Sequence, residues 1–241
     1  MTIALLTLVC MLTYAFEIVF GLAGTIMMLM VMTAFVDARV LVVYSVMPQI
    51  MVAVIGLLRS PKTVRLPFLA GMLGFAAAGA VGGLLLFRGM DPYTFRRLLA
   101  GAIVAFGLLL VLGPRRLRLG PLSRRVLDLV AGASQALFGI SGPIAMTRLL
   151  GSFDDKLVIR NYALAFFLSL NLLRAAGYLV QGSFQDPVPE MMAWSAVPLA
   201  ASLWFANHLH QRVETAVFRR VVSWVILLGG VGMVVGLPGP G

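Results

Sequence analysis

Two short glycine-interrupted stretches are the first places in this sequence where the backbone itself could do chemistry. Phe20-Gly21-Leu22-Ala23-Gly24 and Phe138-Gly139-Ile140-Ser141-Gly142 stand at an offset of 118 residues, each inside a long apolar run. A broken helix frees N–H groups at the start of the following half-helix, and those donors, with the helix dipole, attract anions. Gly21, Gly24, Thr25, Gly139, Ser141 and Gly142 are therefore candidate substrate-binding residues. Glycine in an apolar helix can also serve only to let helices approach closely. A matched pair of breaks in two halves of one chain is what points to a transport site.

Four kinds of side chain could complete such a site. Arg174 follows Asn171 by three residues within an apolar run, so both lie on one helical face. A guanidinium fork in a membrane helix suits an oxyanion; the competing reading is that Arg174 snorkels toward the loop at Gln181, and Arg148 shares that ambiguity. Glu17, four residues before Gly21, has Gln135 as its partner at the 118-residue offset. The pair suggests a polar cavity with one protonatable member, so Glu17 and Gln135 are the proton-coupling candidates. The alternative is a structural Glu17. Tyr44 and Tyr162, also at that offset, could bond substrate or anchor at an interface. Asp37 and Asp155 mark turns, and Met27, Met28, Met30 and Met32 read as packing residues. One cysteine, Cys10, and two histidines, His208 and His210, are too few for a metal site or pathway, and no cofactor is expected.

The elements that must position these groups are membrane helices. Of 241 residues, 61% are hydrophobic and 12% charged, where a soluble domain carries roughly 25% charge. Apolar segments run over about 2–36, 40–58, 66–87, 95–113, 126–150, 158–180, 190–209 and 216–237. Their lengths suit the bilayer core, where only helices satisfy the backbone in a chain of this kind. The expectation is an all-α polytopic membrane protein. Met1 to Cys10 lacks a basic n-region and a cleavage site, and reads as the start of the first segment. Net charge is +10, with 17 of 19 basic residues arginine. They lie between apolar runs, which points to membrane topology rather than nucleic acid binding.

The halves match further. At the same offset Ile26 pairs with Ile144, Met28 with Met146, Phe35 with Phe153 and Asp37 with Asp155, while Phe95-Arg96-Arg97 resembles Phe218-Arg219-Arg220. The expected organisation is a first membrane repeat over 1–113, an Arg-rich cytoplasmic linker over 114–125 and a second repeat over 126–241. Eight single crossings would split the loop Lys and Arg residues 8 against 9, with no topological bias. If the first segment of each repeat is instead broken and re-entrant, the split becomes 13 against 4 and the repeats are inverted, with both termini outside the cytoplasm. The second arrangement is preferred; the segment over 2–20 could still span alone.

On these residues the sequence resembles the sulfite exporter TauE/SafE family, also called the toluene sulfonate uptake permease family. The strongest stretch is Phe138 to Gln181, with its Gly-x-Ser-Gly-Pro break, acidic turn and Asn-Leu-Leu-Arg helix; Val217-Phe218-Arg219-Arg220 and the glycine-spotted last helix also fit. The first break departs from the family's run of three glycines, being reduced to Gly21-Leu22-Ala23-Gly24, and no proline follows before Pro48. The resemblance implies a bacterial inner-membrane transporter that exports sulfite or a small sulfonate such as sulfoacetate, with uptake as an alternative direction. The implied partners are the small sulfur oxyanion and the lipid bilayer, with a homo-oligomer open. Two other classes remain at this stage. Gly139-Ile140-Ser141-Gly142 has the form of a rhomboid-like serine protease loop, which would need a histidine in reach of Ser141. A non-transporting subunit of a membrane complex is the other. The expectation is a transporter and not an enzyme.

Overall fold

The computed structural model describes residues 2–20, 23–58, 64–112, 120–209 and 216–236. Among these, all regular structure is helical: α1 (Thr2–Phe20), α2 (Gly24–Met32), α3 (Ala38–Tyr44), α4 (Val46–Leu58), α5 (Leu66–Gly89), α6 (Pro92–Leu112), α7 (Pro121–Phe138), α8 (Gly142–Leu150), α9 (Lys156–Val180), α10 (Val188–Leu209) and α11 (Ala216–Val235). Five segments are long and apolar enough to cross a membrane: Thr2–Val19, Ala38–Leu58, Leu66–Gly89, Pro92–Leu112 and Lys156–Val180. The apolar runs over 2–36 and 126–150 each hold two helices, a long one and a nine-residue one. Helix α7 opens with Arg124, Arg125 and Asp128 in its first eight residues.

Local chemistry sets the boundaries. Asp37 and Asp155 are N-caps. Asp37 Oδ1 accepts from Arg39 N at 2.8 Å, and Asp155 Oδ1 from Leu157 N at 2.7 Å, so α3 and α9 start in the same way. Between α3 and α4 the chain stays nearly helical but changes at Ser45. Pro48 has no N–H to offer Tyr44 O and its ring crowds that carbonyl. Ser45 Oγ turns back to Val42 O at 2.7 Å, leaving that carbonyl turned toward a further donor.

The helices are arranged in pairs: α5 on α7, α1 on α10, α4 on α9, and α6 on α11, with α2 against α11 and α8 against α6. Small residues make the α5–α7 pairing very close. A Cβ on Gly79 would lie 1.9 Å from Leu129 O, and one on Gly132 would lie 1.8 Å from Ala76 O. Large apolar side chains such as Leu86, Leu108, Trp194 and Phe205 are exposed on the outside, as a lipid-facing surface requires.

Gly132→Leu should therefore force α5 and α7 apart and lower stability by at least about 2 kcal/mol. Gly74→Leu, whose Cβ would meet nothing within 4 Å, should leave the melting temperature of the detergent-purified protein nearly unchanged.

Candidate functional site

The α7–α8 junction is built by three residues with distinct tasks. Gly139 ends α7 in the left-handed region, at φ 73°, with its N–H donating to Gln135 O at 2.9 Å. Ser134 Oγ bonds Ile140 O across the turn. Ser141 is the N-cap of α8, yet its side chain caps nothing; its hydroxyl donates to Gln135 Oε1 at 2.7 Å. Among the described residues no side chain is seen to accept from the N–H groups at the start of α8.

The α1–α2 junction is closed differently. Ala23 occupies the left-handed region at φ 85°, a conformation that costs a non-glycine residue about 1–2 kcal/mol. Glu17 reaches up from α1 and accepts from Thr25 N at 3.0 Å, so a carboxyl group caps α2. Gly24 permits this approach, since a Cβ there would lie 2.5 Å from Glu17 Oε2. Thr25 Oγ1 donates to Tyr14 OH at 3.2 Å. Gly21 lies outside the described residues.

Gln49, one residue after Pro48 on α4, joins the two junctions. Its amide Nε2 donates to Thr25 Oγ1 on one side and to Gly139 O, at 2.6 Å, on the other. Its Oε1 accepts from Gln135 Nε2 at 2.7 Å, and Gln135 Nε2 also donates to Asn171 Oδ1 at 3.0 Å. All three amides are buried.

Arg174 completes the network. It is 0% exposed, so it does not snorkel. Its Nε donates to Tyr178 OH at 3.3 Å; Nη1 donates to Asn171 Oδ1 at 3.1 Å and Gln49 Oε1 at 3.3 Å; Nη2 donates to Ser45 Oγ at 2.6 Å and to Val42 O. A guanidinium has five N–H groups, and here each finds an acceptor. Every one of those acceptors is neutral. Glu17 joins the same network only through Thr25 and Gln49. The result is a buried positive charge beside an uncapped helix N-terminus, an arrangement that can hold a small anion.

Of the residues singled out in the sequence, the structure brings together Glu17, Gly24, Thr25, Gln135, Gly139, Ser141, Asn171 and Arg174, with Gly142 at the first position of α8. Tyr44 and Tyr162 are buried elsewhere. Tyr44 OH donates to Ser195 Oγ at 2.7 Å, while Tyr162 OH accepts from Arg65 N at 2.9 Å and its ring stacks on Phe153. Arg148 pairs with Asp128 at 3.3 Å and with Ser152 Oγ at 2.6 Å, holding α8 to α7. Gln49, Ser45, Tyr14 and Tyr178 escaped the sequence reading. The signal for Gln49 was there, a polar side chain deep in an apolar run, but its offset partner is Phe167 and a search for matched pairs passes over it. Tyr178 lies one turn after Arg174. Ser141 bonds Gln135, and His208 is exposed with its Nδ1 on Trp204 O; the described residues hold no Ser141–histidine pair.

A methyl group on Gly139 would sit 2.9 Å from Arg174 Nη1 and 3.0 Å from Ser45 Oγ. Gly139→Ala should thus cost more than Gly182→Ala, where φ is 65° but the added Cβ meets open space. The control isolates the left-handed penalty of about 1 kcal/mol. An excess of at least another 1 kcal/mol at Gly139, read by thermal melting, measures the clash with the guanidinium. Equal losses would show that Arg174 is not tightly held there.

Comparison with known proteins gives one family. The sulfite exporter TauE/SafE family matches residues 6–233. The comparisons with curated proteins and with solved structures gave no match. A match over nearly the whole chain, on five membrane-length helices, places this protein in the sulfite exporter TauE/SafE family of membrane transporters for sulfur anions.

Proposed function

We propose that the protein exports sulfite or a small sulfonate, such as sulfoacetate, across the bacterial inner membrane, and that the anion is held between Arg174 and the N-terminus of α8. The observation that carries this is the buried guanidinium with only neutral acceptors. Burying an unpaired cation is costly, and an incoming oxyanion repays that cost better than an amide or a hydroxyl. The acceptors it displaces are Gln49 Oε1 and Ser45 Oγ, both on the flexible ends of side chains or at the α3–α4 kink. The donors of Gln135, Asn171 and Ser141 then turn toward the substrate.

Helix pairing supports a repeat, and the distribution of Lys and Arg among the loops supports its inversion. Exchanging α1–α2 with α7–α8, α3–α4 with α9, α5 with α10, and α6 with α11 preserves the main pairings: α5 on α7 becomes α10 on α1, α2 on α11 becomes α8 on α6, and α4 on α9 and α6 on α11 map onto themselves. In this reading the α1–α2 and α7–α8 hairpins are re-entrant, each repeat crosses three times, and substrate sits at the repeat interface. Export of an anion from a cell that is negative inside is favoured by about 2.3 kcal/mol per charge per 100 mV, so it needs no coupled ion. Glu17, capping α2 within the same network, favours a second reading in which a proton accompanies the anion during uptake.

Two measurements test this. Calorimetry with sulfite should show Arg174→Gln weakening binding by about 100-fold, the value of a buried charge-assisted hydrogen bond. Arg125→Gln, on an exposed side chain over the Phe75 ring, should bind as the wild type does; equal losses would remove Arg174 from the site. Reporter fusions should place 59–65, 113–125, 151–160 and 208–220 in the cytoplasm. Finding 181–189 on the same side as 113–125 would rule out the inverted topology.

A further inference from the structure

A second feature involves a cation with an unmet hydrogen bond. Between α2, α6 and α11 lies a cavity of about 270 Å³, lined by Thr33 at the end of α2, Arg96 in the first turns of α6, and Gly229, Gly232 and Gly236 along α11. Among the described residues Arg96 Nε is buried without a hydrogen-bond partner. A buried cationic N–H with no acceptor is rare, and the same side chain belongs to a residue that lines the cavity. The glycines keep the wall of α11 low, and a Cβ on Gly232 would meet nothing within 4 Å.

The cavity is tied to the central network by α2 itself. This helix has nine residues, so it spans about 13 Å. Its N-terminus carries Thr25 in the network and its C-terminal end leads to Thr33 at the cavity wall. The repeat supplies a counterpart. Helix α8, also nine residues long, packs on α6 as α2 packs on α11. Arg219 holds the sequence position on α11 that Arg96 holds on α6.

We propose that the Arg96 cavity is a peripheral oxyanion site, the outer mouth of the transport route. This rests on the transport reading above. An anion leaving Arg174 passes along one short helix to a second cation, which lowers the barrier to crossing the low-dielectric wall and draws anions to that face. The inverted topology places Arg96 on the extracytoplasmic side.

The test is radiolabelled sulfite flux in proteoliposomes, measured from each face of the full-length protein. Arg96→Gln and Gly232→Met should raise KM from the extracytoplasmic face by about fivefold, the Arg96 effect shrinking at high salt. The KM from the opposite face should be unchanged. Arg97→Gln, an exposed side chain over the Tyr93 ring, should match the wild type. Melting temperatures confirm that each variant is folded. Wild-type KM values on both faces for folded Arg96→Gln and Gly232→Met would overturn this proposal alone. Absence of any sulfite flux in the wild type would overturn the transport reading and this proposal with it. A lipid headgroup offers the same oxyanion chemistry, so the flux is repeated with phosphatidylglycerol added to phosphatidylcholine vesicles. If the added anionic lipid raises the wild-type KM and Arg96→Gln removes that rise, the cavity is a lipid phosphate site and the proposal fails.

Discussion

Much of this structure turns on what a guanidinium demands when it is taken out of water. Arg174 has five donors and no exposure. Its acceptors come from α9 itself, from α4 and from the α3–α4 kink. That kink exists because Pro48 cannot continue the hydrogen-bond ladder, and the change at Ser45 is what brings Val42 O and Ser45 Oγ to the cation. The α7–α8 junction is held against the same group, since Gly139 leaves room for the guanidinium and gives its carbonyl to Gln49. Removing any one of these pieces leaves a donor of a buried charge unmatched, which is why the three elements are interdependent.

A polar centre of this kind is affordable only inside a tightly closed shell. The α5–α7 contact provides part of it, with glycine backbones meeting carbonyl groups directly at Gly79 and Gly132. Between membrane helices there is no hydrophobic driving force, so close van der Waals contact and interhelical hydrogen bonds must do the holding. Gln181 Nε2 on Leu84 O and Asn207 Nδ2 on Ile55 O are such bonds at the edges of the shell. Aromatic contacts among Phe87, Phe95, Tyr178 and Phe138 fill the space beside the network.

The two halves share a plan but not a chemistry. At the 118-residue offset Glu17 answers to Gln135, Cys10 to Asp128 and Met30 to Arg148. In the first half the carboxyl group caps the short helix; in the second the corresponding amide turns into the network and the short helix is left uncapped. The Asp128–Arg148 pair stiffens α7 against α8, while Cys10 and Met30 leave α1 and α2 without that tie. One junction thus has its own carboxyl acceptor, and the other has no side-chain acceptor among the described residues.

The sequence by itself determined the helical membrane class, because apolar runs of bilayer length allow no other regular backbone for such a chain. It marked Gly139 and Pro143 in the middle of an apolar run, where α7 ends and α8 begins, and it marked Arg174 and Asn171 as one face through their spacing; the division between α3 and α4 inside the run over 40–58 it did not mark. These are local facts, governed by backbone sterics and helical period. The tertiary structure alone decided which polar residues meet. Gln49 lies 125 residues from Arg174 and 86 from Gln135, and no local pattern encodes that convergence. Tyr44 and Tyr162, equivalent in sequence, were placed away from the network on Ser195 and Arg65 N. Hydrogen bonding in a low-dielectric interior depends on which groups the helix crossings bring within about 3 Å, and crossings are set by the fit of whole helix faces.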